Sequence, residues 1–133
     1  MFTYTRFPKH DFTLFVSQGS TQVDEWIKTL IHYGTDGITK YELFDLRQHT
    51  YLFSTQELER IQHLTPSNIH YRPPETKTAL VVDKTAMYGV SRVYDILAEV
   101  EGIEGLDTQV FYSIDEAVAW LGEQVREAMF DRA

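Results

Sequence analysis

The sequence contains no cysteine, which excludes disulfide bonds, thiolate nucleophiles and zinc–thiolate sites. It also lacks both glycine-rich patterns that cradle phosphate groups in nucleotide-binding proteins. No apolar run approaches the roughly 20 residues that a membrane-spanning helix needs. The first ten residues lack the apolar stretch of a secretory signal. We therefore expect a cytoplasmic protein of bacterial type without an integral membrane segment.

Basic residues are also scarce, because 12 lysine and arginine residues stand against 20 acidic residues and give a net charge of −8. Such a surface repels phosphate backbones, so we expect no nucleic-acid partner and no purely electrostatic adhesion to an anionic membrane. No serine lies in a nucleophile elbow. We expect no metal site, no cofactor and no enzymatic activity, since the histidines are scattered without metal-ligand spacing: His10, His32, His49, His63 and His70.

The length and composition favour one globular domain. At 133 residues, of which 43% are hydrophobic, the chain can bury a core without help from disulfides or metals. No internal repeat or long linker divides the sequence. We therefore predict a single domain over residues 1–133.

Strand and helix patterns alternate after an opening hairpin. The strands are predicted at Phe2–Phe7, Asp11–Ser17, Ile38–Leu46, Thr78–Asp83 and Thr108–Tyr112, and the helices at Thr21–Tyr33, Thr55–Leu64, Thr85–Val100 and Asp115–Met129. Gly34 is expected to end the first helix, and Thr65–Thr76, which contains three prolines, is expected to be a loop. Right-handed crossovers then give an α/β fold: a mixed sheet of about five strands, antiparallel in the opening hairpin and parallel later, with four helices.

In such a sheet the carboxyl ends of the parallel strands share one edge, where ligands and partners usually bind. The residues at or just after these ends form the candidate ligand- or partner-binding set: Asp45, Arg47, Ser54, Asp83, Lys84, Met87, Tyr88, Arg92 and Ser113. Simpler interpretations stay open for most of them. Asp45 and Arg47 would also pair with each other, and serine is a common helix cap. Tyr88 and Arg92, four residues apart, would also suit the solvated face of a helix.

Two segments resemble a known family. Ala79–Asp83 followed by Tyr88–Tyr94, and Val110–Leu121, resemble the SpoIIAA-like proteins of the STAS superfamily, which comprises sulfate transporter and anti-sigma-factor antagonist domains. Asp45-Leu46-Arg47 at a strand end is similar to the same group. The similarity spans nearly the whole chain, and the order of elements agrees with that family.

The resemblance implies a non-enzymatic regulatory domain that acts through protein–protein contacts and in which a homodimer is plausible. In the family these contacts are switched by phosphorylation of a serine at a helix N-terminus. The equivalent position here is Ser54 or Thr55. The sequence departs from the family at this point, because Phe53-Ser54-Thr55-Gln56 replaces an Asp-Ser-Ser-Gly-like segment.

The divergent SpoIIAA-like branch also looks like the lipid-binding CRAL-TRIO type of fold, which implies a second function. In this alternative a small apolar ligand lies between the sheet and a mobile third helix, with peripheral association at a membrane surface. Met87 and Tyr88 at the start of that helix would contact the ligand, and Gly89 would ease its movement. Such residues also serve as ordinary core, so both interpretations are kept.

Overall fold

A computed structural model describes residues 1–68, 75–83 and 106–130. The strands in this part of the chain are β1 (Phe2–Phe7), β2 (Phe12–Gly19), β3 (Tyr41–His49), β4 (Thr76–Val81) and β5 (Leu106–Phe111). The α-helices are α1 (Val23–Asp36), α2 (Thr55–Asn68), α3 (Ile114–Leu121) and α4 (Glu123–Phe130), and a short 3-10 turn at Pro8–His10 joins β1 to β2.

The five strands lie in the sheet in chain order, β1-β2-β3-β4-β5. β1 is antiparallel to β2, and every other neighbouring pair is parallel. The hairpin fits the twisted edge of the sheet because Pro8 starts the 3-10 turn and Asp11 ends it in a left-handed conformation, with φ 51°. The predicted α/β fold with a mixed five-stranded sheet is confirmed.

One face of the sheet, called the first face here, packs against α1 and α2. Its core is strongly aromatic, and the rings of Phe15 and Phe44 stack with centroids 4.1 Å apart. Phe2 stacks on Trp26 of α1 at 4.2 Å. Leu58 and Ile61 bring α2 into the same cluster. Burial of this apolar area is the main force that holds α1 and α2 on the sheet.

The opposite face, called the second face, packs against α3 and α4. Alternate strand residues supply its core because successive side chains of a strand point to opposite sides. The two helices and the strands form one cluster: Phe12, Leu43, Ala79, Val81, Ala117, Val118, Leu121, Val125 and Ala128. β4 is buried on both sides, as its near-continuous apolar sequence predicts.

Several predicted boundaries differ from the structure. Gly34 does not end α1, which continues to Asp36, and Gly37 follows with φ 107°. The predicted final helix is divided at Gly122 (φ 115°) into α3 and α4. α2 continues through Pro66 to Asn68, so the first four residues of the predicted loop Thr65–Thr76 are helical. The predicted helix Thr85–Val100 lies outside the described residues.

The lengths of the elements also bear on membrane association. Among the parts of the chain that the structure describes, no helix combines the length and apolar character needed to cross a bilayer.

Candidate functional site

The parallel strands bring several of the predicted residues to one edge of the sheet. Asp45 of β3 lies beside Val81 of β4, and Val81 lies beside Phe111 of β5. Asp83 comes shortly after Val81, and Tyr112 comes directly after Phe111. Both therefore lie at the carboxyl end of the sheet, level with the second half of β3. The other predicted residues on this side, Lys84, Met87, Tyr88 and Arg92, lie outside the described residues.

Asp45 and Arg47 form a forked ion pair. The Arg47 Nε and Nη2 atoms donate hydrogen bonds of 2.9 Å each to Asp45 Oδ1 and Oδ2. The backbone N–H of Arg47 adds a bond of 3.2 Å to Oδ1. These bonds to Asp45 raise the pKa of Arg47 further above its already high value. The guanidinium is therefore fixed in one orientation and stays charged.

The ion pair is open to solvent. The Arg47 side chain is 44% exposed and the Asp45 side chain is 18% exposed. Asp45 lies on the second face, because it follows Leu43 by two residues and Leu43 belongs to that core, and the Arg47 guanidinium is held beside it by the forked bonds. Within the described residues, Arg47 Nη1 makes no hydrogen bond, so it is directed to solvent as a donor. Tyr112 adds a large side chain, 40% exposed, at the same edge.

Ser54 caps α2 in a complete capping box. Its hydroxyl accepts a 3.2 Å bond from the Glu57 N–H, and Glu57 Oε1 accepts a 2.9 Å bond from the Ser54 N–H. The Ser54 N–H bond is the main cause that lowers the pKa of Glu57. Glu57 also accepts from the Tyr51 hydroxyl and raises the pKa of that phenol. Thr55 is the first residue of α2 and is exposed.

Ser113 has a similar role at α3, where its hydroxyl accepts a 3.2 Å bond from the Glu116 N–H. Both serines therefore fulfil the simpler role of helix caps. Ser54 is exposed and Ser113 is half-buried. A capping role does not conflict with partner contacts, which no observation on these two residues tests.

A bulge in β3 was not predicted from the sequence. Val16 pairs with Asp45 but Gln18 pairs with Gln48, so Leu46 and Arg47 together lie opposite Ser17. The extra residue reverses the alternation of side chains beyond it. His49 therefore enters the first face, where its ring lies 5.8 Å from Trp26 and 5.1 Å from Phe53.

His49 and Ser17 form a buried polar pair. His49 Nδ1 and Ser17 Oγ are 2.7 Å apart, and the Trp26 Nε1–H donates to Ser17 Oγ at 3.0 Å. Ser17 is completely buried and His49 is 4% exposed, so a substrate has no access to the hydroxyl. Burial lowers the pKa of His49, although the nearby Tyr51 backbone opposes this effect. Burial thus disfavours the protonated form of the imidazole.

A second polar cluster surrounds Glu42 in the amino-terminal half of the sheet. Glu42 is 2% exposed, and its carboxylate accepts hydrogen bonds from the Tyr33 and Thr78 hydroxyls at 2.6 and 2.7 Å. Thr39 bonds to both Tyr33 and Thr13. The cluster joins α1, β2, β3 and β4 from within. No sequence motif signalled it, because a single glutamate in a strand is usually exposed.

A concave surface lies between α3 and α4. It has a volume of about 610 Å³ and is lined by Asp115, Val118, Ala119, Glu123, Arg126, Glu127 and Phe130. In the described ranges, no three histidine or acidic side chains are grouped closely enough to hold a metal ion.

Comparison of the chain with protein-family models, with curated proteins and with solved structures finds no match. The resemblance to SpoIIAA-like domains therefore stays a prediction from the sequence.

Proposed function

We propose that this protein is a non-enzymatic regulatory module that binds a partner protein at the carboxyl edge of its sheet, with Arg47 as the central contact. The observation that supports this proposal most directly is the forked Asp45–Arg47 pair. It holds a half-exposed guanidinium in one orientation before any partner arrives. Ordering a free arginine side chain on binding costs up to about 1.5 kcal/mol, and this cost is already met in the free protein.

The chemistry of the pair suggests what the partner presents. Asp45 uses both carboxylate oxygens on Arg47, while Nη1 of the guanidinium keeps its donors for another molecule. A carboxylate or a main-chain carbonyl group of a partner would accept from Nη1. Tyr112, exposed at the same edge, adds the aromatic surface that often accompanies arginine in protein interfaces.

The experiment is a quantitative pull-down from native lysate with three forms of the protein. Arg47→Ala removes the proposed contact. Arg60→Ala is the matched control, because Arg60 is also an exposed arginine in an ion pair, with Asp24 at 3.0 Å, but this pair joins the two helices of the first face, α1 and α2. Thermal unfolding of each variant establishes that it is folded.

We expect one partner to be recovered by the wild type and by Arg60→Ala but at least tenfold less by Arg47→Ala, since an interface arginine commonly contributes more than about 1.4 kcal/mol. The purified partner should show the same difference in its dissociation constant. Equal recovery by both arginine variants would refute the proposal. Reduced recovery of the partner by both arginine variants would show that binding depends on overall charge.

A further inference from the structure

The β3 bulge lies between an exposed side chain and a buried one. The Arg47 side chain is 44% exposed and paired with Asp45, and His49, two residues later, is buried in the first face. Just beyond His49, the Thr50 N–H donates a 2.8 Å bond to the Gly19 carbonyl and closes the end of the β2–β3 pair. The position of this strand end therefore depends on how well the His49 ring fits its buried site.

The hydrogen bonds around His49 leave one ring nitrogen without a partner. An indole N–H can only donate, so Trp26 uses one lone pair of Ser17 Oγ. Ser17 Oγ and His49 Nδ1 share a 2.7 Å bond in which either group can donate, according to the tautomer of the ring. His49 Nε2 is buried and has no hydrogen-bond partner among the described residues. A charged imidazolium would carry an N–H at this unpartnered position, in an aromatic environment.

The groups that face His49 offer no compensating negative charge. β2 contributes Ser17, α1 contributes Trp26, and the segment after β3 contributes Phe53 and the backbone of Tyr51. Within the described ranges, the charged group that acts on the ring is the amino group of Met1, which is positive and also disfavours the imidazolium. In the described part of the chain, no carboxylate lies within ion-pair distance of the His49 ring.

We propose that His49 is a proton-sensitive latch: protonation of its ring releases the end of β3 from β2 and α1 and so opens the segment from Leu46 to Phe53. The inference stands on the bulge, the buried and unpartnered Nε2 and the absence of a compensating charge, and it does not depend on the partner proposed for Arg47. Its direction is fixed by linkage. The closed form excludes the proton and the open form accepts it, so acidification favours opening.

The test is native-state hydrogen exchange of single amides between pH 7.5 and 5, corrected for intrinsic exchange rates. The Thr50 amide reports on the latch. The Tyr41 amide, bonded to the Asp11 carbonyl at 3.0 Å, is the reference at the other end of the same strand pair. His49→Gln removes the titrating ring, and His32→Gln is the control at an exposed histidine on α1.

Below the ordinary histidine pKa of about 6.5, the opening constant at Thr50 should rise by up to tenfold per pH unit, the limit for one proton. The rise should persist in His32→Gln, vanish in His49→Gln and be absent at Tyr41. A pH-independent Thr50 amide, or a rise of the same size in His49→Gln, would overturn the proposal. An equal rise at Tyr41 would also overturn it, because the effect would then be global unfolding.

A second measurement covers the case in which His49→Gln does not fold. The ring protons of His49 in the wild type are followed by NMR over the same pH range. Titration with a midpoint below 6.5 that coincides with the rise at Thr50 supports the latch. Titration at or above 6.5 with no change at Thr50 contradicts it.

Discussion

The Tyr33 hydroxyl donates a 2.6 Å hydrogen bond to Glu42 Oε2 in the first face of the sheet, where both side chains are almost completely buried. Tyr33 also accepts a 3.0 Å bond from the Thr39 N–H. A neutral phenol thus stabilises a buried carboxylate and satisfies the backbone that leads into β3. The bond fixes the position of α1 over the sheet, because Tyr33 lies in the last turns of that helix.

Tyr33→Phe should lower the free energy of unfolding by about 2–3 kcal/mol, because it removes the bond to Oε2 of the buried Glu42 carboxylate and the acceptor of the Thr39 N–H. The measurement is equilibrium urea denaturation. Tyr4→Phe is the matched control: its hydroxyl is 3.4 Å from Asp36 at an exposed position, and its loss should cost less than about 0.5 kcal/mol. Equal effects of the two substitutions would contradict the assigned role.

The same bond predicts a loss of stability in alkali. Burial, and then the charge of Glu42, raises the pKa of Tyr33 above its ordinary value. Above pH 10 the unfolded chain loses this phenolic proton while the folded protein keeps it, so the folded state binds more protons and stability falls as the pH rises. Below pH 10 the contribution is fully present. The slope for one proton is at most about 1.4 kcal/mol per pH unit.

Urea denaturation between pH 9 and 11 measures this slope in the wild type and in both tyrosine variants. The free energy of unfolding of Tyr33→Phe should decline less steeply with rising pH than that of the wild type. The decline for Tyr4→Phe should match that of the wild type. If the free energy of unfolding of Tyr33→Phe declines as steeply as that of the wild type, the raised pKa of Tyr33 makes no contribution to stability in alkali.

Replacement of Ser54 separates helix capping from other roles of this residue. Ser54→Ala removes the acceptor for the Glu57 N–H and should cost about 1 kcal/mol of stability. Ser54→Asp should retain most of that stability, because aspartate is an equally good cap at a helix N-terminus. Urea denaturation gives both values. If the aspartate variant is as unstable as the alanine variant, the hydroxyl acts through some contact other than the cap.

Phe15 tests the aromatic core of the first face. It is fully buried and stacks on Phe44, so Phe15→Ala should lower the free energy of unfolding by about 3–5 kcal/mol. Phe15→Leu, which leaves a smaller cavity, should cost clearly less. Phe130→Ala is the control on α4, where the ring is 54% exposed, and should change stability by less than about 0.5 kcal/mol. A similar cost for Phe15 and Phe130 would contradict this picture of the core.

The sequence predicts the fold where local patterns decide it. The apolar run in β4 predicts a strand covered on both faces, and Ser54 with Glu57 predicts the start of α2. The shared edge of Asp45, Asp83 and Tyr112 follows from parallel crossovers alone. These features depend on periodicity and capping, which single sequences display directly.

The features that were missed depend on packing between distant elements. The burial of Glu42 has no signal in the sequence because its partners, Tyr33 and Thr78, come from other elements. The β3 bulge leaves no mark in the sequence of β3, so the burial of His49 was not predicted. Gly34 was assigned to a helix end by propensity, but tertiary contacts of Tyr33 carry α1 past it.

The chain order of the strands has a consequence for synthesis on the ribosome. Each new strand pairs with the strand that was synthesised just before it. The sheet can therefore form from β1 towards β5 in the order of synthesis. The second face is different, because α3 and α4, which cover Phe12, Leu43 and Val81, are translated after every strand. A nascent chain that stops before residue 114 would lack the contacts of these apolar residues with α3 and α4, and synthesis of the last two helices would supply them.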